Sequence, residues 1–160
     1  MPAADSFDLS NGPTGADAYC AIDFGTSNSA VAVPMPDGME LVPLEPGHGE
    51  RGRTMPTAVF YVAEGPDLHA LPKLYGRAAV AAYVDGTDGR LMRSMKSVLG
   101  SALMEQHTDI GAGRSVAFGD VIESYLLHLK RAAQAHAGRG IDRVVLGRPV
   151  FFVDGDAARD

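Results

Sequence analysis

The sequence predicts an α/β fold, and three observations carry that reading. Short β-type runs crowd the beginning of the ordered chain, at Tyr19–Asp23, Ser29–Val33 and Met39–Leu44. A long stretch of helical period runs from Asp120 to Ala137. Directly after it the chain returns to a β-type run, Arg143–Leu146, before Gly147-Arg148-Pro149. At 160 residues the chain has room for about one domain. Its 46% hydrophobic and 21% charged residues are globular composition. The 19 glycines and 10 prolines predict many turns between the elements.

Taken in order, residues 1–18 are small, polar and punctuated by Gly and Pro, with three aspartates and no basic residue. Such a segment buries too little apolar surface to offset its ordering entropy, so a disordered tail is expected there. The first two β-runs are joined by Phe24-Gly25-Thr26-Ser27-Asn28 and read as a hairpin, and Asp37-Gly38 turns the chain into the third strand of a meander. Residues 46–52 read as a loop. Thr57–Val62 is β-branched and aromatic enough for a fourth strand. Gly76–Val84 and Leu91–Leu99 read as short helices, the second stopped by Gly100. In the long helix, Asp120 and Glu123 form a D-x-x-E start of capping-box type, and Gly138 ends the run. Arg143–Leu146 reads as a buried-type strand.

Composition excludes several function classes. Fourteen basic against twenty acidic residues give a net charge of −6, which offers no electrostatic footprint for nucleic acid or an anionic membrane. A single cysteine, Cys20, excludes a disulfide framework and a cysteine-based zinc site. No apolar run approaches the ~18 residues of a membrane span, and no secretory leader pattern opens the chain. A soluble, cytoplasmic protein is expected. The five histidines, His48, His69, His107, His128 and His136, lack ligand spacing and are expected to be solvated. No G-x-x-x-x-G-K-[ST] or G-x-S-x-G motif occurs. Gly47-His48-Gly49-Glu50-Arg51-Gly52 does match G-x-G-x-x-G, but a β-type run follows it where a dinucleotide site needs a helix, so it reads as a loop.

The segment that carries chemistry is Ile22-Asp23-Phe24-Gly25-Thr26-Ser27-Asn28-Ser29. A strand delivers a carboxylate to its C-terminal end, a glycine permits a sharp turn, and hydroxyl and amide side chains follow. Such a turn can aim backbone N–H groups and hydroxyls at an anionic phosphate. The carboxylate beside it suits Mg²⁺ held through water. The same residues also make an ordinary polar hairpin turn.

Asp23–Ser29 resembles the first phosphate loop of the actin, sugar-kinase and heat-shock ATPase superfamily. Further segments resemble the DnaK-type, seventy-kilodalton heat-shock chaperones, in order along the chain. Arg53-Thr54-Met55-Pro56-Thr57 is similar to their R-T-x-P-S stretch, and Tyr75-Gly76-Arg77-Ala78-Ala79 to their G-D-A-A helix start. Met95-Lys96-Ser97-Val98-Leu99-Gly100 resembles their A-K-R-L-I-G segment, and Val144–Phe152 their strand ending in V-P-A-Y-F. The Gly147-Arg148-Pro149 variant points to the divergent YegD-like branch.

The resemblance implies a ribonuclease-H-like, actin-like ATPase lobe over residues 19–160, with a helix-bearing insertion at about 50–117. It implies a lobe lacking its fifth strand, hence the N-terminal fragment of an ATP-binding, ATP-hydrolysing chaperone, inactive alone. ATP or ADP and Mg²⁺ are the implied cofactors. Unfolded clients and co-chaperones are the implied partners, reached through other parts of the parent. Asp23 is implied to hold the magnesium hydration shell, and Gly25, Thr26, Ser27 and Asn28 to line the phosphates. Lys96 is implied to be catalytic, near the γ-phosphate, and read alone it is a solvated helix lysine. Pro149 would match a hinge proline, with Arg159 the candidate for its arginine partner. Asn28 stands where the family has tyrosine, and Ser97 where it has arginine. An exposed apolar patch is expected at Val144, Val145, Phe151 and Phe152. Two other readings are a small-molecule kinase of the same superfamily and an actin-like filament protein.

Overall fold

Period-two patterning sets up the first sheet. In β1 (Tyr19–Phe24) and β2 (Asn28–Met35) alternate residues are buried, with Cys20, Ile22 and Phe24 facing the core from one strand and Val31 and Val33 from the other. Their antiparallel register sets Ile22 opposite Val31 and Phe24 opposite Ser29, so one face is apolar. This computed structural model describes residues 18–63, 72–111 and 113–147. β3 (Gly38–Leu41) continues the meander across β2, and β4 (Thr54–Pro56) pairs with the beginning of β2.

β5 (Ala58–Val62) is the centre of a second antiparallel sheet, between β6 (Lys73–Tyr75) and β7 (Gly89–Arg93). A strand covered on both faces reads as a continuous apolar run, and Ala-Val-Phe-Tyr-Val is one. Ala58 and Phe60 pack on Ala79 and Ala82 of α1 (Gly76–Val84). Val59 and Tyr61 turn the other way, into the main core. The start of α1 is capped from a distance. The Glu45 carboxylate accepts from the Arg77 backbone N–H at 2.6 Å and pairs with the Arg77 guanidinium, which also reaches the Thr54 and Arg51 carbonyls.

β8 (His107–Gly111) and β9 (Arg114–Ala117) form a hairpin that leads into α2 (Phe118–Ala137). α2 buries Val121, Tyr125, Leu129 and Ala133, one residue per turn at four-residue spacing, together with Ile122. Gly138 ends it in the left-handed conformation, φ 64°. β10 (Arg143–Gly147) then pairs in parallel with β1, giving the order β10-β1-β2-β3. The core lies between this sheet, α2 and the inner face of the β5 sheet. No described helix is long and apolar enough to cross a membrane.

The mixed α/β class is as expected, and several local readings need correction. Leu91–Leu99 is not a helix. Its first half lies in β7, paired with β5, and only Met95–Val98 forms a 3-10 turn. An open edge of β5 offers a backbone ladder that outweighs the weak helical preference of a short segment. α2 begins at Phe118, before Asp120, and no side chain caps it. The Phe118 N–H donates instead to the Gln106 carbonyl, which meets the need that a capping box would serve. β3 ends at Leu41 rather than Leu44. β4, β6, β8 and β9 have no counterpart in the sequence reading.

β10 is a strand, but not a buried one. Val144, Val145 and Leu146 are 42%, 47% and 44% exposed, so the apolar patch expected at Val144 and Val145 is present. Phe151, Phe152, Pro149 and Arg159 lie outside the described residues, as do residues 1–17 and His69. Ala18 is buried, and its carbonyl accepts from the Asp142 and Arg143 N–H groups.

Two histidines are structural rather than solvated. His136 on α2 places Nε2 3.2 Å from a Glu40 carboxylate oxygen on β3, at an angle that makes no hydrogen bond. His128 stacks on Tyr75, ring centroids 4.1 Å apart and planes 11° apart, which couples α2 to β6. Burial pushes the His128 pKa down, and the nearby Arg131 adds to the shift. Because the folded state disfavours protonated His128, its contribution to stability is complete above the ordinary histidine pKa and is lost as pH falls below it. We therefore expect Tm to drop between about pH 7.5 and about pH 5.5, a window that spans the unfolded value of ~6.5. His128→Phe, which keeps a ring on Tyr75, should reduce that drop in parallel melts. An equal drop in both proteins would place the pH dependence elsewhere.

Candidate functional site

β1 carries Asp23 to its C-terminal end, where the side chain is exposed and no described residue pairs with it. The parallel neighbour β10 ends beside it, with Gly147 opposite Asp23. Ligand sites in α/β sheets lie at this end of parallel strands. The chain then turns through Gly25, Thr26 and Ser27 into β2, which starts at Asn28. Gly25 is required by space. A Cβ there would sit 2.1 Å from the Asn28 carbonyl oxygen, which is backbone and has little room to move.

The turn is held from behind by one residue, Thr57, at the junction of β4 and β5. Its hydroxyl donates to the Gly25 carbonyl at 2.8 Å, and its N–H donates to the Ser27 carbonyl at 2.9 Å. Ser29 Oγ lies 2.9 Å from Thr57 Oγ1. A hydroxyl has one proton, and that of Thr57 is committed to Gly25, so Ser29 is the donor in this pair. Tyr125 on α2 donates to the Pro56 carbonyl at 3.1 Å. Burial pushes the Tyr125 pKa up, with the Ser29 and Thr57 hydroxyls opposing it, which keeps the phenol a donor. Two loop carbonyls are thus occupied on the inner side. Among the described residues, the N–H groups of Gly25, Thr26 and Ser27 have no acceptor. The side chains of Asp23, Thr26, Ser27 and Asn28 are exposed. An exposed turn with hydroxyls, and with N–H groups that have no acceptor among the described residues, beside one carboxylate suits a phosphate and a hard cation held through its water shell. No cluster of three or more His, Cys, Asp or Glu that could grip a metal directly occurs among the described residues.

Asp23 and residues 25–28 are therefore together in one hairpin, while Lys96 is on a separate element. It lies in the 3-10 turn Met95–Val98, half-buried, and no hydrogen bond or ion pair links it to the loop. Met95 beside it is buried in the same core as Ile22 and Phe24. Ser94 enters this turn in the left-handed conformation, φ 55° and ψ 32°, which costs a non-glycine residue roughly 1–2 kcal/mol. Its carbonyl accepts from the Ser97 hydroxyl at 2.7 Å. The G-x-G-x-x-G segment is a 3-10 turn leading into β4, as its sequence context implied. A cavity of about 360 Å³ lined by Leu44, Met55, Tyr75, Arg77 and His128 contains none of the loop residues.

The sequence reading overlooked Thr57 and Tyr125. The available signals were a hydroxyl at the head of an otherwise apolar run, and one phenol on the apolar stripe of α2.

No protein-family model matches the chain. It is similar to curated proteins named chaperone protein DnaK. One from Cenarchaeum symbiosum is 29% identical over 133 residues, 83% of this chain and 19% of the relative. Another, from Mycoplasmoides gallisepticum, is 29% identical over 135 residues, 84% of this chain and 21% of the relative. A third, from Nitrosopumilus maritimus, is 28% identical over 134 residues, 83% and 19%. These matches support a relationship to the DnaK, or Hsp70, chaperones. The chain spans about a fifth of the length of the curated relatives it matches.

The turn geometry gives an expectation independent of those likenesses. Gly25→Ala should cost about 1–3 kcal/mol, the range for forcing atoms into a filled site. The control is Gly140→Ala, where a Cβ meets nothing within 4 Å and the backbone is outside the left-handed region. Thermal melts in which Gly25→Ala is no worse than Gly140→Ala would show that the loop rebuilds freely.

Proposed function

We propose that the chain is a nucleotide-binding lobe of a DnaK-type chaperone ATPase, with Asp23–Asn28 as its first phosphate loop. The carrying observation is the Gly25 turn at the end of β1, its carbonyls tied inward by Thr57 and its N–H groups and hydroxyls left open. A ribonuclease-H-like architecture belongs to this reading. In its favour are the antiparallel meander, the long helix after it, and the final strand parallel to the first. Residues 19–160 would then form the lobe and about 50–117 an inserted subdomain. Likeness to the DnaK chaperones favours this reading over the sugar-kinase and filament alternatives.

In this reading Asp23 orients the water shell of Mg²⁺, and the N–H groups and hydroxyls of residues 25–27 cradle the β- and γ-phosphates, with Asn28 at the rim. Magnesium, when bound, offsets charge on the phosphoryl oxygens. Lys96 positions the attacking water and stabilises charge in the transition state. Client proteins and co-chaperones would engage other parts of a longer protein.

The loop is exposed, and in this reading it is one wall of a cleft, so this chain alone should bind Mg-ATP weakly, with a Kd of about 1 mM and no measurable hydrolysis. Amide resonances of residues 23–28 should respond to Mg-ATP, and Asp23→Asn should remove the magnesium dependence. A response centred elsewhere overturns the site, and a micromolar Kd overturns the one-wall reading.

In a protein carrying the whole cleft, Lys96→Ala should slow single-turnover hydrolysis by roughly 10²-fold, the scale of one lost electrostatic stabiliser, with affinity changed only a few-fold. Hydrolysis at the parental rate would make Lys96 a solvated side chain.

A further inference from the structure

Ser29 and Thr57 are the two buried polar or charged residues among those described, at 1% and 2% exposure. A buried hydroxyl costs free energy unless it is paired, and replacing both partners with apolar groups of similar shape is often neutral. What the hydroxyls add is direction. The proton of Ser29 goes to Thr57, and that of Thr57 goes to the Gly25 carbonyl. Aligned donors polarise one another, which strengthens the bond at the end of the row. The Thr57 N–H takes the Ser27 carbonyl, so one residue fixes both shoulders of the turn.

The row is anchored to α2. Tyr125 donates to the carbonyl of Pro56, the residue whose peptide group precedes Thr57. Pro56 has a fixed φ, so the position of the Tyr125 hydroxyl constrains where Thr57 sits. The Tyr125 ring itself is held against Phe24, centroids 5.9 Å apart, at the last residue of β1 before the turn. α2 therefore contacts both flanks of the loop, Phe24 on the strand that enters it and Pro56 in the strand behind it.

We propose that Thr57, Ser29 and Tyr125 are positioning residues that hold the phosphate loop in its anion-accepting shape and make that shape depend on the seating of α2. The anion part of this proposal rests on the reading of the loop given under Proposed function. The shape part does not.

The test uses the whole ¹⁵N-labelled chain with magnesium pyrophosphate as the probe. Thr57→Val should move the amide resonances of residues 25–28 and speed their hydrogen exchange, with resonances across the β5 sheet retained. Pyrophosphate affinity should fall about two- to tenfold, the scale of one net hydrogen bond. Thr57→Ser, which keeps the hydroxyl, should restore both readouts. Tyr125→Phe, which removes one oxygen and keeps the ring, should shift the same amides in the same direction, and it serves as the main variant should Thr57→Val not fold. Unchanged loop resonances and exchange in both Thr57→Val and Tyr125→Phe overturn the proposal. So does failure of Thr57→Ser to restore them, because loss of packing would then be the cause. If the wild-type loop ignores pyrophosphate, the phosphate-loop reading fails, and the positioning role is decided by resonances and exchange alone.

Discussion

The rest of the candidate site hangs on one hydrogen bond, which the Thr57 hydroxyl donates to the Gly25 carbonyl. Gly25 cannot carry a side chain because the Asn28 carbonyl occupies the space, so the turn is tight. A tight turn directs its carbonyls to one side and its N–H groups to the other. Thr57 decides which side is which. Its placement depends in turn on β4 pairing with β2 and on β5 being anchored on both faces. The second sheet thus supports the loop of the first as well as its own helix.

α2 joins these parts. Its four-residue stripe lies in the core shared by both sheets, and Tyr125 sits at the centre of that stripe. The phenol meets Phe24 and Tyr75 with its ring and Pro56 with its hydroxyl. One turn further on, His128 stacks on Tyr75. The helix therefore contacts the strand before the loop, the strand behind it, and the edge of the second sheet.

Much of this was legible in the residues, and what was not has a common cause. The short apolar runs at Tyr19–Asp23 and Ser29–Val33, the β-branched and aromatic Thr57–Val62 and the spacing along α2 are local patterns, and each predicted its element. The carboxylate-glycine-hydroxyl order of Asp23–Ser27 predicted the turn. β7 was misread because Leu91 and Met92 fit a helical stripe equally well, and only the open edge of β5 decides between the two. β8 and β9 are short and mostly polar, and each turns little more than one apolar side chain, Ile110 and Val116, to the core, too little to announce a strand. The capping pattern at Asp120 was outcompeted by a carbonyl from a distant loop. Thr57 looked like a β-branched residue at a strand start, because the contact that gives it meaning spans 32 positions.

The parallel pairing of β1 with β10 brings Tyr19 against Arg143 and Asp23 against Gly147, residues separated by most of the chain. Closing so long a loop carries a large entropic cost and waits on the elements between, whereas a hairpin such as β1–β2 forms in roughly 1–10 μs. Local pairings come early in such a topology, and non-local strand additions come late. The end of β1 bearing Asp23 is then bordered by its parallel neighbour only in the closing stage of folding, after the turn beside it has formed. On the folding pathway the β1–β2 hairpin precedes the long-range contacts, from Thr57 and Tyr125, that hold its loop.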